Sequence, residues 1–155
     1  MKEKISEEKR QRVLQIFTGE AWLENLKSAE EIHVFAANFN WDNGYEWLNW
    51  IIDHPLCSRG TALMLYWLSE PVYYLKKDVL EISEYQLNGF KFVHKLQNKY
   101  LNNGFADYNI GFDPRNDDST DWIKDSKLDG ENSSVSIPSE MLKPVPGRDL
   151  SRDYW

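Results

Sequence analysis

The run Thr61-Ala62-Leu63-Met64-Leu65-Tyr66-Trp67-Leu68 constrains the fold more than any other stretch of this chain. Wound as a helix, it is apolar on nearly every side. A helix with a polar face can lie at a surface, but one apolar all round has to be surrounded. The run predicts a central helix over residues 60–69, with the other elements packed around it. Ser58 can open that helix, and Pro71 ends it because proline cannot continue a helical ladder.

The flanking sequence supplies the surrounding elements. Residues 7–17 read as a helix capped by Ser6, with Glu7 and Glu8 at the positive end of its dipole and Val13, Leu14 and Phe17 on one stripe. Thr18-Gly19 closes it, and a short second helix holds Trp22, Leu23 and Leu26. Ser28 with Glu31 forms a capping-box pattern that opens a helix through Ile32, Phe35, Ala36 and Phe39. After a turn at Asn40–Gly44, Asn43 is placed to cap the next helix, with Glu46 three positions on. That helix carries Trp47, Leu48, Trp50, Ile51 and Ile52, and Asp53-His54-Pro55 stops it. A long helix is expected over 77–102, with Ile82, Tyr85, Gly89, Val93, Leu96 and Tyr100 as its stripe and Asn102-Asn103-Gly104 as its end.

Beyond Gly104 prolines recur among clusters of Asp, Asn and Ser, so residues 105–155 are expected to form loops and short elements. Phe105, Tyr108, Ile110, Phe112, Trp122 and Ile137 are the rings and aliphatics that would tack this segment to the core. The expected fold class is therefore all-α or nearly so. It is a compact bundle or helical-repeat-like array of five or six helices, with a helical core (1–104) and a loop-rich segment (105–155) in one domain of 155 residues.

Charge and composition exclude some partners. With a net charge of −7, the chain lacks the clustered Lys and Arg that phosphate backbones or anionic membranes require, so neither nucleic acid nor a membrane is an expected partner. A basic protein is allowed. The single cysteine, Cys57, excludes an intrachain disulfide and fits a reducing compartment. The first eight residues carry no leader pattern, and no stretch approaches a membrane helix in length. These readings point to a cytoplasmic protein. The seven Trp, eight Tyr and seven Phe make a ring-rich core or an aromatic binding face.

No stretch carries a recognisable catalytic pattern. Asp53, His54 and Cys57 are close in sequence, but they sit around a proline turn, and a structural turn with an inert cysteine accounts for them. His33, His54 and His94 lack metal-ligand spacing, and there is no phosphate-binding glycine loop or nucleophile elbow. Neither cofactor nor metal is expected. The densest acidic stretch is Asp113–Trp122. It resembles a calcium loop in composition, but its glycine and terminal Glu are misplaced or missing. Across 106–131, eight acids face three bases, a balance of −5. Asp113, Asp117, Asp118, Asp121 and Asp125, with Trp122 as an anchor ring, are thus the candidate partner-binding residues. Arg59, unfavourably placed at a helix start, is expected to form a structural pair with Asp42 or Asp53.

The stretch Ala36-Ala37-Asn38-Phe39-Asn40-Trp41-Asp42-Asn43-Gly44, then Ile52-Asp53-His54-Pro55-Leu56-Cys57-Ser58-Arg59-Gly60-Thr61-Ala62-Leu63, then Tyr66-Trp67, resembles a bacterial domain-of-unknown-function family, number 4274. Asp113-Pro114 and Pro146-Gly147-Arg148 are less specific likenesses. Ser58 stands where the family pattern often has an acid. The resemblance implies a compact helical domain and no established chemistry. By analogy with small orphan proteins of this type, the functional expectation is a non-enzymatic binding module, most concretely a cytoplasmic immunity protein neutralising a basic toxin domain. An enzyme with a carboxylate and His site between helix pairs, or a homo-oligomeric subunit, are the alternatives.

Overall fold

The computed structural model describes residues 2–155; Met1, the first residue of the helical core and of the leaderless N-terminus expected above, lies outside the described residues. Seven α-helices are present among them: α1 (Glu7–Phe17), α2 (Ala29–Asn38), α3 (Glu46–Asp53), α4 (Arg59–Leu68), α5 (Pro71–Leu75), α6 (Leu87–Leu101) and α7 (Trp122–Asp125). The only β structure among the described residues is isolated bridges. None of these helices is long and apolar enough to cross a membrane.

Helix α4 is the centre of the molecule, as its sequence demands. Gly60 through Trp67 are all buried, and α2, α5 and α6 pack around them. Ser58 caps the helix, its Oγ accepting from the Thr61 N–H at 3.0 Å. An acid would satisfy the same orphan donor, so a serine here leaves the cap intact. Two residues on, Gly60 has no room for a side chain: a Cβ would lie 2.1 Å from the Ile110 carbonyl oxygen. The loop-rich segment therefore docks backbone to backbone on the first turn of α4.

The Ser28–Glu31 pattern does more than cap. Ser28 Oγ accepts from the Glu31 N–H at 3.2 Å, while the Glu31 carboxylate accepts from Ser28 Oγ at 2.5 Å and from the Lys27 N–H at 3.3 Å. Glu31 is fully buried, and its charge is met by Arg12 Nε of α1 at 2.5 Å. A buried charge persists only when paired in this way, so the cap also fixes α1 against α2.

Three expectations are corrected. Asn43 does not cap α3. It sits in a 3-10 turn (Trp41–Asn43), and α3 begins after Tyr45 without a side-chain cap. Pro71 ends α4 but also begins α5 at the position where a missing N–H costs nothing, with Glu70 turned left-handed (φ 58°) to make the corner. The long helix begins at Leu87 rather than residue 77, because two capping boxes, Asp78 with Glu81 and Ser83 with Gln86, divert residues 78–86 into 3-10 turns. Tyr85, placed on the core stripe by periodicity, is consequently exposed.

The segment after Gly104 is irregular but firmly tied. Phe112 and Val145 exchange backbone hydrogen bonds at 2.9 and 2.8 Å. Glu3 donates to the Asp149 carbonyl and accepts from the Ser151 N–H, both at 2.8 Å, so the start of the chain lies beside its end. Phe105, Ile110 and Phe112 are buried, as their selection as tacking residues requires. Arg148 ties the corner, donating to the carbonyls of Tyr108 and Asn109 at 3.0 Å and to Glu30 of α2 at 3.1 Å.

Candidate functional site

The acidic segment borders two concavities, and five of the six candidate partner residues divide between them. Asp113, Asp117 and Asp118 line a cleft of about 470 Å³, walled on its far side by residues 144–150 and Arg152 and floored by His33. Trp122 and Asp125 line a smaller hollow of about 270 Å³ with Trp67, Glu70 and Tyr73. Asp121 lines neither and caps α7, accepting from the Lys124 N–H at 2.9 Å.

These residues are not equivalent. Asp117 is buried: its Oδ1 accepts from Arg152 Nη2 at 2.5 Å and its Oδ2 from the Trp122 indole N–H at 2.8 Å. Its placement on a partner-facing surface is therefore corrected; its charge is spent inside the chain. Trp122 is half-buried and packs against the core. Asp118 is exposed but paired with Lys2, which holds its carboxyl below the usual range. Asp113 is exposed and closes its own turn by accepting from the Arg115 N–H at 2.9 Å, and Asp125 is exposed.

Behind His33, which lines the larger cleft, two buried hydroxyls and the ring form a relay. Ser58 Oγ and Thr61 Oγ1 are 2.9 Å apart, and Thr61 Oγ1 lies 2.8 Å from His33 Nδ1. His33 is only 3% exposed. Burial, reinforced by Arg152 and Lys2, pushes its pKa down to about 3, so the ring is neutral near pH 7. Among the described residues its Nε2 has no hydrogen-bond partner, and the ring borders the cleft. No spacing rule links His33 to Lys2, Asp149 or Arg152, which come from opposite ends of the chain. The sequence offered only a histidine on a helix.

The proposed anchoring of Arg59 is also corrected. Asp53 pairs with Lys95 of α6 at 2.8 Å, and Asp42 is exposed in its 3-10 turn. Arg59 instead lies over the Tyr100 ring, 4.0 Å from its centroid. Tyr100 offers a nearby π face, so no carboxylate is needed to hold the cation. Asp53, His54 and Cys57 diverge as well: His54 Nδ1 accepts from the Leu56 N–H at 3.0 Å, and burial pushes the Cys57 thiol up to about 12. A thiol so raised stays protonated near neutral pH and is a poor nucleophile. Among the described residues no group of three or more metal-ligating side chains gathers.

The molecule is thus a helical domain whose C-terminal segment closes a cleft over α2 and α4. Residues 27–101, spanning α2 to α6, match the family model described as "Domain of unknown function (DUF4274)", and this match supports assigning that segment to the family. The match contains His33 and the relay behind it, while the walls at 111–119 and 144–152 lie outside it. No curated protein and no solved structure matches the chain.

Proposed function

We propose that this is a non-enzymatic binding module for a basic protein partner, most concretely a cytoplasmic bacterial immunity protein that neutralises a cognate toxin domain by covering it. The observation that carries the reading is the division of labour in the acidic segment. Asp117 is consumed internally by Arg152 and Trp122, and so holds the exposed carboxylates of Asp113 and Asp125 on an ordered loop. Carboxylates fixed before encounter lose little entropy on binding, and they steer a cationic partner toward them. Trp122 and Tyr73 border the hollow beside Asp125, a setting that suits an inserted Lys or Arg side chain. The enzymatic alternative has less support: a histidine whose pKa lies near 3 is too weak a base for general acid–base work at neutral pH.

The test is capture of a partner from source-cell lysate at low salt by the wild type and by the Asp113→Lys/Asp125→Lys double variant. Asp117 is left alone because its reversal would report unfolding. Loss of a basic partner in the double variant, with salt-sensitive binding by the wild type, supports the reading. Equal retention by both proteins overturns it.

Self-association has an observation of its own. Leu80 is 91% and Tyr85 is 85% exposed on the 3-10 turns before α6. Light scattering with Leu80→Lys tests it; a monomeric wild type discards it.

A further inference from the structure

The cleft over His33 has a polarity that its hydrogen-bond accounting makes definite. Ser58 is fully buried, and its Oγ already accepts from the Thr61 N–H. Thr61 Oγ1 is the acceptor within reach of the Ser58 hydroxyl hydrogen. With Ser58 donating to Thr61, the Thr61 hydroxyl is left to donate to His33 Nδ1. The opposite direction would strand the Ser58 hydrogen in the core without an acceptor, which is costly. Burial keeps the imidazole neutral, so its one proton is on Nε2. The floor of the cleft therefore presents the Nε2–H of a side chain that is 97% buried, a donor with no partner among the described residues. At the rim, Asp113 and Asp149 are exposed carboxylates with no cation partner among the described residues, whereas Asp117 and Asp118 are neutralised by Arg152 and Lys2, and Arg148, which also lines the cleft, is paired with Glu30 and Glu3. Phe112, Val145 and Leu150 give the walls an apolar component.

A donor at depth and carboxylates at the mouth define a ligand with an acceptor at one end and a cation at the other. We propose that this cleft seats a basic residue of a partner polypeptide, its main-chain carbonyl accepting from His33 Nε2–H and its Lys or Arg side chain lying against Asp113 and Asp149. This rests on the basic-partner reading and names where the partner inserts. The volume, about 470 Å³, falls in the range of sites that enclose a small ligand.

The test needs no identified partner. The full chain, labelled with 15N, is titrated with acetyl-Gly-Arg-Gly-amide and, as control, acetyl-Gly-Glu-Gly-amide, each to about 10 mM to reach weak binding. In the free protein the His33 ring is expected as the Nε2–H form, and the arginyl peptide alone shifts that ring with the amides of 113–119 and 144–150. Asp113→Asn/Asp149→Asn, an exposed change that leaves the core untouched, abolishes the shift. His33→Phe weakens binding about five-fold, the size of one hydrogen bond. Finding the proton on Nδ1, or unaltered binding by the double variant, overturns the proposal. Shifts confined to Trp122 and Asp125 overturn the cleft assignment and leave the binding-module reading standing. No shift anywhere removes both.

Discussion

Arg152 donates to the buried carboxylate of Asp117 at 2.5 Å, joining the acidic loop to the end of the chain. The same carboxylate takes the Trp122 indole N–H, so one side chain sets the loop, the ring and the C-terminus together. Asp117→Ala leaves a half-buried guanidinium and an indole N–H without their acceptor, and is expected to cost about 3 kcal/mol. Trp122→Phe removes one donor and keeps most of the packing, so about 1 kcal/mol is expected. Urea unfolding of both variants checks the order. An Asp117→Ala midpoint equal to that of the wild type would mean that this tie contributes nothing.

Gly60 and Gly130 form a matched pair of tests. A methyl group at Gly60 meets the Ile110 carbonyl, whereas at Gly130 nothing lies within 4 Å. Gly60→Ala must push the 110–111 backbone off α4, at about 2–3 kcal/mol. Gly130→Ala is expected within about 0.5 kcal/mol of wild type. Thermal melts of the two variants decide whether the C-terminal segment is seated as closely on α4 as described.

What sequence reasoning captured here is what local physics controls. The apolar run 61–68 announced the central helix, and Ser6, Ser28 and Ser58 announced three helix starts, because each signal lies within one turn of its effect. The misread stretch, 77–86, failed through competing local chemistry: its apolar residues keep helical spacing, but its capping boxes pull the backbone into short turns. The site was half legible. Acid density located the loop, yet it could not separate Asp117, consumed by Arg152 thirty-five positions away, from the exposed Asp113. His33 gave no signal at all, since its relay partner Thr61 and its cleft neighbours come from other elements.

Cys57 should behave as packing rather than as a reagent. It is 1% exposed and its thiol is raised by burial. A disulfide probe such as dithionitrobenzoate is expected to leave the native protein unlabelled at pH 8 and to react fully once it is unfolded, because attack needs an accessible thiolate. Rapid labelling of the native protein would reopen the nucleophile reading of the Asp53–Cys57 turn.

Stability should fall as the solution is acidified, with His33 as a principal cause. Its folded pKa, about 3, lies below the ordinary value of 6.5. Between those values the unfolded chain binds a proton that the folded chain refuses, so the stability present above pH 6.5 is lost as pH falls toward 3. One such proton gives a slope approaching about 1.4 kcal/mol per pH unit. His54, also lowered by burial, adds in the same direction. The lowered carboxylates of Glu30 and Asp118 act only below their ordinary values of 4.5 and 3.8. The interval from pH 6.5 to 5 therefore belongs mainly to the histidines, and His33→Gln isolates one of them. Its urea midpoint is expected lower than wild type at pH 7, because the Thr61 relay is disturbed, but flatter across that interval. If the two proteins lose stability in parallel from pH 6.5 to 5, His33 is not the group excluded from protonation, and the neutral ring on which the cleft's polarity depends would have to be abandoned.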